Sequence, residues 1–72
     1  MDTGIDNKLA RRIRELRKKK ELTQERLAEL AGIDYKHIQL LESKNPPYAK
    51  LDTLEKLAKA FKISLPTLLK LK

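Results

Sequence analysis

The sequence predicts an all-α fold, a compact single domain of five helices over residues 1–72 with an ordered core over residues 6–71. Leu, Ile and Phe supply 20 of the 72 residues, above the ~20% below which chains tend to be disordered. Valine is absent and aromatic residues make up only 4%, whereas Leu, Lys, Glu, Ala and Arg dominate. Because these residues favour helix over sheet, and because apolar residues recur at helical spacing, we expect helices throughout.

Helix 1 is predicted over residues 6–19, with Asp6 as its N-cap. One apolar stripe recurs at steps of four and three, at Leu9, Ile13 and Leu16. Residues 8–20 hold eight basic residues and one acidic residue. Most of these cations are expected to point away from the stripe, but Arg17 flanks it and should lie at the edge of the core.

Three later helix starts share one pattern: an apolar residue, a capping residue, and a second apolar residue four positions past the cap. The three sets are Leu22, Thr23 and Leu27; Ile33, Asp34 and Ile38; and Ile63, Ser64 and Leu68. This is the hydrophobic staple around an N-cap, in which the cap oxygen satisfies a backbone N–H and the apolar pair fixes the entry angle of the chain. The pattern predicts helices 2, 3 and 5 over residues 23–31, 34–42 and 64–71.

The ends of helices 2 and 3 are marked by different residues. Gly32 is predicted to end helix 2 in the left-handed conformation that glycine adopts readily. Beyond helix 3, Pro46 and Pro47 keep the following loop out of a helix. Helix 4 is then predicted from one apolar face, formed by Leu51, Leu54, Leu57, Ala58 and Phe61.

Residue types that are absent exclude several functions. With no Cys and a single His, the chain cannot build a usual structural zinc site, so no metal or other cofactor is expected. No nucleophile with a base, paired-carboxylate cleft or phosphate-cradling glycine loop is visible, so we predict no catalytic residue, no enzyme activity and no small-molecule ligand. Without a long apolar run or a signal peptide, the expected location is cytoplasmic, with no membrane partner.

The net charge of +7 suits a polyanionic partner, either nucleic acid or an acidic membrane surface, and the simpler interpretation is that it only keeps the domain soluble. Helix 1 is poorly suited to a membrane surface because its apolar stripe is narrow and lacks aromatic residues. Helices 2 and 3, joined by a tight glycine turn, have instead the spacing of a helix-turn-helix. In that arrangement the second helix enters the major groove of double-stranded DNA.

Helix 3 has the two faces that such a role requires. Ile38 and Leu41 should anchor one face in the core, and the other face carries Tyr35, Lys36, Gln39, Leu40 and Ser43. Lys36 could donate to guanine, Gln39 could pair with adenine, and Leu40 could touch a thymine methyl group.

Each of these residues also has a simpler interpretation. Lys36 and Gln39 could be ordinary solvent-facing residues, and Tyr35 could lie over the helix. Leu40 could pack against helix 4 or a partner subunit. His37, on the flank of the core face, suits a packed or phosphate-bonding side chain better than a ligand or a catalyst.

Two long segments resemble a known family. RIRELRKKKELTQERLAELAGIDYKHIQLLES resembles the Xre-type helix-turn-helix of phage repressors such as Cro and cI, and LDTLEKLAKAFKISLPTLLK resembles that family's last two helices. The resemblance extends over roughly residues 8–70, nearly the whole chain. The resemblance implies a repressor-like, five-helix DNA-binding domain that regulates transcription from operator DNA, commonly as a homodimer on a palindrome.

The resemblance also implies roles for individual residues. Gln24 matches a glutamine that meets the DNA backbone, with Thr23 as its cap, and Arg17 and Glu42 match an ion pair between helices 1 and 3. The predicted DNA-binding residues are Thr23, Gln24, Asp34, Tyr35, Lys36, His37, Gln39, Leu40, Ser43, Lys44 and Asn45.

The chain departs from the family pattern in two places. Leu40 occupies a position that is often polar in relatives. Lys44 stands where relatives usually have glycine, so the loop must start differently or Lys44 must take a strained conformation. That loop is also one residue longer than usual, although Lys44 and Asn45 remain predicted phosphate neighbours.

A second class of function uses the same fold to bind a protein, as an antitoxin or an adaptor does. Leu40 and the tail residues Leu68, Leu69 and Leu71 could form such a surface, or serve a homodimer. A downstream toxin-like reading frame would favour this alternative.

Overall fold

The computed structural model describes residues 4–71, and over that part of the chain it contains helices and no strand. The elements are α1 (Ile5–Lys19), α2 (Gln24–Ala31), α3 (Tyr35–Leu41), α4 (Leu51–Phe61) and α5 (Leu65–Leu68). The all-α prediction is confirmed, and the five predicted helices appear in order. Within residues 4–71, no helix is both long and apolar enough to cross a membrane.

The core forms where apolar faces of all five helices meet. Its largest fully buried side chains are Ile13, Leu27, Ile38, Leu41, Leu57, Phe61 and Leu68. Burial of each such side chain contributes about 1.5–3 kcal/mol, so this cluster is the main source of stability in a domain this small. The second apolar residue of every predicted staple (Leu27, Ile38 and Leu68) belongs to this cluster, which explains why the staples located the helix starts.

Three of the four joints between helices share one geometry. The joints are Glu21-Leu22-Thr23, Gly32-Ile33-Asp34 and Lys62-Ile63-Ser64. In each, the first residue is left-handed, with φ of 57°, 67° and 59° in chain order. The N–H of the second residue then donates to a carbonyl five residues earlier, at 2.9, 3.0 and 3.0 Å respectively. This bond is the Schellman ending of a helix, which the sequence predicted only at Gly32.

The third residue of each joint occupies the N-cap position of the next helix. Thr23 accepts the N–H of Arg26 at 3.0 Å, and Ser64 accepts the N–H of Thr67 at 3.2 Å. Asp34 holds the same position, but its side chain makes no capping hydrogen bond. The capping prediction is therefore right for Thr23 and Ser64 and wrong for the side chain of Asp34.

Two predicted helix limits are also wrong. α1 begins at Ile5 with Gly4 as its N-cap, and the Gly4 carbonyl accepts the N–H groups of Asn7 at 3.1 Å and Lys8 at 3.3 Å. Asp6 lies in the first turn, where its charge complements the helix dipole. α5 ends at Leu68 instead of continuing to residue 71.

Two arginines of α1 tie that helix to distant parts of the chain. Arg12 donates to the carbonyl oxygens of Thr67 (2.8 Å) and Leu68 (3.3 Å), at the end of α5. Arg14 donates to the carbonyl of Glu42 at 2.7 Å, at the end of α3. Both arginines are half-buried, whereas the sequence predicted outward-facing cations. Guanidinium groups at helix C-termini satisfy carbonyls that have no partner within the helix.

Candidate nucleic-acid interface

α3 has one face in the core and one in solvent. Ile38 and Leu41 are 0% and 2% exposed, and they hold the helix against the rest of the domain. Lys36 and Gln39 are exposed on the other side, with Leu40 beside them. The structure therefore brings the two predicted base-reading side chains onto one accessible face.

The remaining predicted residues of α3 lie around that face. Tyr35 is 42% exposed at the start of the helix, and Asp34 before it is also exposed. His37 is half-buried, on the flank of the core as predicted. Ser43 is turned toward the backbone, where its Oγ donates to the carbonyl of Leu40 at 2.7 Å.

The C-terminal end of α3 is fixed by a buried ion pair. Arg17 donates from Nε to Oε2 of Glu42 at 2.7 Å and from Nη2 to Oε1 at 2.9 Å. The two side chains are 13% and 3% exposed. A third donor of the same guanidinium bonds the carbonyl of Leu22 at 2.8 Å. The predicted ion pair between the first and third helices is confirmed, and it also holds the turn before α2.

Gln24 belongs to the same buried cluster. Its Nε2 donates to Oε1 of Glu42 at 3.2 Å, and the side chain is half-buried. Gln24 therefore links the start of α2 to the end of α3, a contact that the sequence did not predict. The first backbone N–H groups of α2 have no acceptor within the helix. One of them, the N–H of Arg26, donates instead to the side chain of the N-cap residue Thr23.

The loop after α3 begins with exposed polar residues. Lys44 and Asn45 are both exposed, and neither has a positive φ. The loop thus starts differently from the glycine-containing pattern, and Lys44 carries no backbone strain. Lys44 lines an open cleft together with Arg11 and Arg14 of α1. Arg11, an exposed cation that was not among the predicted site residues, is brought beside the loop by the docking of α1 on α3.

The charged groups near α3 differ in what they can offer a ligand. The guanidinium groups of Arg14 and Arg17 bond to Glu42 and are committed within the fold. Lys36 is exposed on the outward face of α3. The exposed cations Lys44 and Arg11 line the cleft beside the end of that helix. Exposed cations next to hydrogen-bonding side chains suit a polyanion that also presents donors and acceptors.

Comparisons with known proteins agree with this geometry. The helix-turn-helix family model matches residues 13–68. The crystal structure of the restriction-modification controller protein C.AhdI from Aeromonas hydrophila is 36% identical, with a TM-score of 0.82 over 88% of this chain and 94% of that one. C.Esp1396I bound to a 19 base pair DNA duplex is 26% identical, with a TM-score of 0.83 over 92% and 87%.

A third similar structure is the hypothetical transcription factor NHTF from Neisseria. It is 31% identical, with a TM-score of 0.80 over 90% of this chain and 72% of that one. No curated protein sequence matches the chain. The solved structures thus share both the arrangement of helices and nearly the full length of the chain.

Proposed function

The chain belongs to the helix-turn-helix family, and from that premise we propose that it is a single-domain, sequence-specific DNA-binding transcriptional regulator. The observation that carries the proposal is the two-faced α3, held in the core by Ile38 and Leu41 and presenting Lys36 and Gln39 to solvent. A helix presented in this way can enter the major groove of an operator while the domain stays folded behind it.

Lys36 and Gln39 are the base readers in this proposal. A lysine ammonium can donate to O6 and N7 of guanine, and a glutamine amide can both donate to and accept from adenine. Tyr35, at the first position of α3, would place its hydroxyl on a phosphate at the edge of the groove. The half-buried His37 and the exposed Asp34 would lie at the rim of the contact.

Phosphate contacts would come from two places near the C-terminal end of α3. One is the loop, with Lys44 and Asn45, and with Arg11 across the cleft. The other is formed by the backbone N–H groups at the start of α2, near Thr23 and Gln24, where the helix dipole favours an anion. These contacts would position the protein on the duplex, and α3 would supply the sequence preference.

We propose that two copies bind one operator. The relative solved with DNA was bound to a 19 base pair duplex. A duplex of that length has room for two half-sites about one helical turn apart, the spacing of dimeric helix-turn-helix proteins. A homodimer on a palindrome would follow, and the protein would act in the cytoplasm with the genomic DNA.

A narrower role is suggested by the similar structures that carry functional names. C.AhdI and C.Esp1396I are both restriction-modification controller proteins. We therefore propose that this chain controls transcription of restriction-modification genes. Genes for a DNA methyltransferase and an endonuclease beside its own would support that role, and their absence would leave only the general regulator.

In-vitro selection of bound sequences from a random DNA pool tests the general proposal. The wild-type protein should enrich one palindromic sequence. The double variant Lys36→Ala, Gln39→Ala should enrich sequences with a much weaker preference, because each bidentate base contact is worth about 1–3 kcal/mol of discrimination.

A matched control is the double variant Lys56→Ala, Lys59→Ala, which removes two exposed cations from α4. It should keep the wild-type sequence preference. Identical preferences in the α3 variant and the wild type would contradict the recognition-helix assignment.

A further inference from the structure

Leu40 differs from the other apolar side chains of α3. It is 50% exposed, whereas Ile38 and Leu41 are buried. It is also not one of the partly buried apolar residues that pack on the core, such as Ile33 or Leu65. Packing against α4, which the sequence left open, therefore does not account for a leucine at this position.

Leu40 lies on the same face as the proposed base readers. Lys36 is one helical turn before it and Gln39 is its neighbour, and both are exposed. One turn further on, the Ser43 hydroxyl is bonded to the Leu40 carbonyl, and the leucine side chain remains 50% exposed. Leu40 thus adds an apolar surface to a face whose other members form hydrogen bonds.

We propose that Leu40 reads the C5 methyl group of a pyrimidine in the major groove, carried by thymine or by 5-methylcytosine. The inference rests on the proposed function. At base edges in that groove, the C5 methyl is the apolar group that a leucine side chain can contact, whereas the other edge atoms donate or accept hydrogen bonds. An exposed leucine side chain stabilises the complex only where such an apolar group lies against it.

Length and charge both favour DNA as the occupant of this surface. α3 has seven residues and is about 10 Å long, which fits a groove about 12 Å wide, so a side chain in its last turn can still reach a base. Lys36 is an exposed cation on this face, Lys44 is another in the loop that follows α3, and the chain carries a net charge of +7. These charges attract a polyanion and repel a second copy of the chain from the same face.

The first arm of the test uses the operator obtained by selection, with each thymine replaced in turn by deoxyuridine. Uracil keeps the base-pairing edge and the O4 acceptor and lacks only the methyl group. At one thymine in each half-site, loss of the methyl should raise the Kd of the wild-type protein about fourfold, the effect expected for one buried methyl. The Leu40→Ala variant should bind the thymine and deoxyuridine operators equally.

The matched control is Leu30→Ala. Leu30 is 45% exposed at the end of α2 and lies outside the proposed contact surface, so this variant should keep the fourfold sensitivity. Thermal unfolding followed by circular dichroism should show that both variants are folded, since each removes a side chain that is already half in solvent.

The second arm separates the two sources of the methyl group. At the sensitive position, cytosine and 5-methylcytosine replace thymine, with guanine opposite. If wild-type Kd falls about fourfold on methylation of cytosine, the methyl itself is read in either base, and operator methylation would alter binding. If only the thymine operator responds, the contact is to thymine. The Leu40→Ala variant should show no change in Kd with the methyl group of either base.

Two results would overturn the inference while the proposed function stands. One is an enriched operator at which no deoxyuridine changes Kd, or at which Leu40→Ala is as sensitive as the wild type. The other is a loss of self-association in DNA-free Leu40→Ala by analytical ultracentrifugation, which would show that Leu40 covers a second copy. Failure to enrich any sequence would overturn the proposed function itself, and this inference with it.

Discussion

The buried C-cap of α3 and the outward face of that helix contrast sharply, although only a few residues separate them. At its C-terminus, Glu42 is 5% exposed and accepts hydrogen bonds from Arg17 and Gln24. On its outward face, Lys36 and Gln39 are exposed. The same kinds of side chain, a cation and an amide, are thus used for stability in one region and offered to a ligand in the other.

The choice of cation follows the same division. The planar guanidinium of Arg17 matches both carboxylate oxygens at once and is more weakly hydrated than an ammonium, so it tolerates burial. Lys36 and Lys44 are strongly hydrated point charges that remain in solvent. Arg17 is a structural cation because its carboxylate partner, Glu42, is buried. Lys36 and Lys44 stay in solvent and are available to a ligand.

The largest expected effect is on the buried region. Glu42→Ala would leave the Arg17 guanidinium buried without its carboxylate, and the free energy of unfolding should fall by about 3–5 kcal/mol. Urea denaturation followed by circular dichroism measures the change.

The exposed ion pair of α2 provides the control for this prediction. Arg26 and Glu29 form a salt bridge of 2.9 Å with side chains 58% and 69% exposed. Glu29→Ala should cost less than about 0.5 kcal/mol. Equal losses in the two variants would show that the burial of Glu42 does not set its contribution.

Opposite effects on stability and on base preference are expected for the two glutamines, Gln24 and Gln39. Gln24→Ala should lower the free energy of unfolding by about 1.5 kcal/mol, because it removes a hydrogen bond to a buried carboxylate, and should leave base preference unchanged. Gln39→Ala should do the reverse: stability within about 0.5 kcal/mol of wild type and about 1–3 kcal/mol less discrimination at one base pair. Urea titration and competition binding distinguish them. A change of base preference in Gln24→Ala would remove the distinction.

A smaller effect is expected from the loop cation Lys44. Lys44→Ala should make the plot of log K against log salt shallower by about 0.9 unit, since one phosphate contact is lost. Stability should be unchanged because the side chain is exposed. Binding measured at several salt concentrations tests this. Lys56→Ala, from the exposed surface of α4, should keep the wild-type slope, and an unchanged slope in Lys44→Ala would exclude its phosphate contact.

The smallest effect is expected at Lys62, in a joint outside both regions. Lys62 holds a left-handed conformation (φ 59°) that glycine adopts without strain. Lys62→Gly should therefore raise the free energy of unfolding by about 0.5–1 kcal/mol and leave DNA affinity unchanged. Gly32→Ala, with φ of 67°, should lower stability by about 1–2 kcal/mol. A loss of stability in Lys62→Gly would contradict the strain assignment.

Features with local causes were predictable from the sequence. The staples located the starts of α2, α3 and α5 because both apolar residues of each staple lie within five positions of each other and contact or join the core. Gly32 was recognised because glycine marks the left-handed ending, whereas Glu21 and Lys62 take that conformation without any such mark. The ion pair of Arg17 with Glu42 was implied by the family resemblance and is confirmed.

Features that depend on distant residues were not predictable in the same way. The inward direction of Gln24 depends on Glu42, 18 residues later, and that of Arg12 depends on the end of α5, 55 residues later. Their residue types suit solvent equally well, so only the packed structure decides between the two. Leu68, which the sequence also suggests for a partner surface, is 0% exposed and belongs to the core. The contacts of α3 with bases remain predictions.

The three shared joints have a consequence for which changes in chain length the domain tolerates. Leu22, Ile33 and Ile63 each close the helix before them through a backbone bond and pack on the core beside the helix after them. Inserting or deleting one residue at any of these joints would break both connections at once. The segment between Leu41 and Leu51 contains no residue that makes both connections, so we expect changes in length to be tolerated best there.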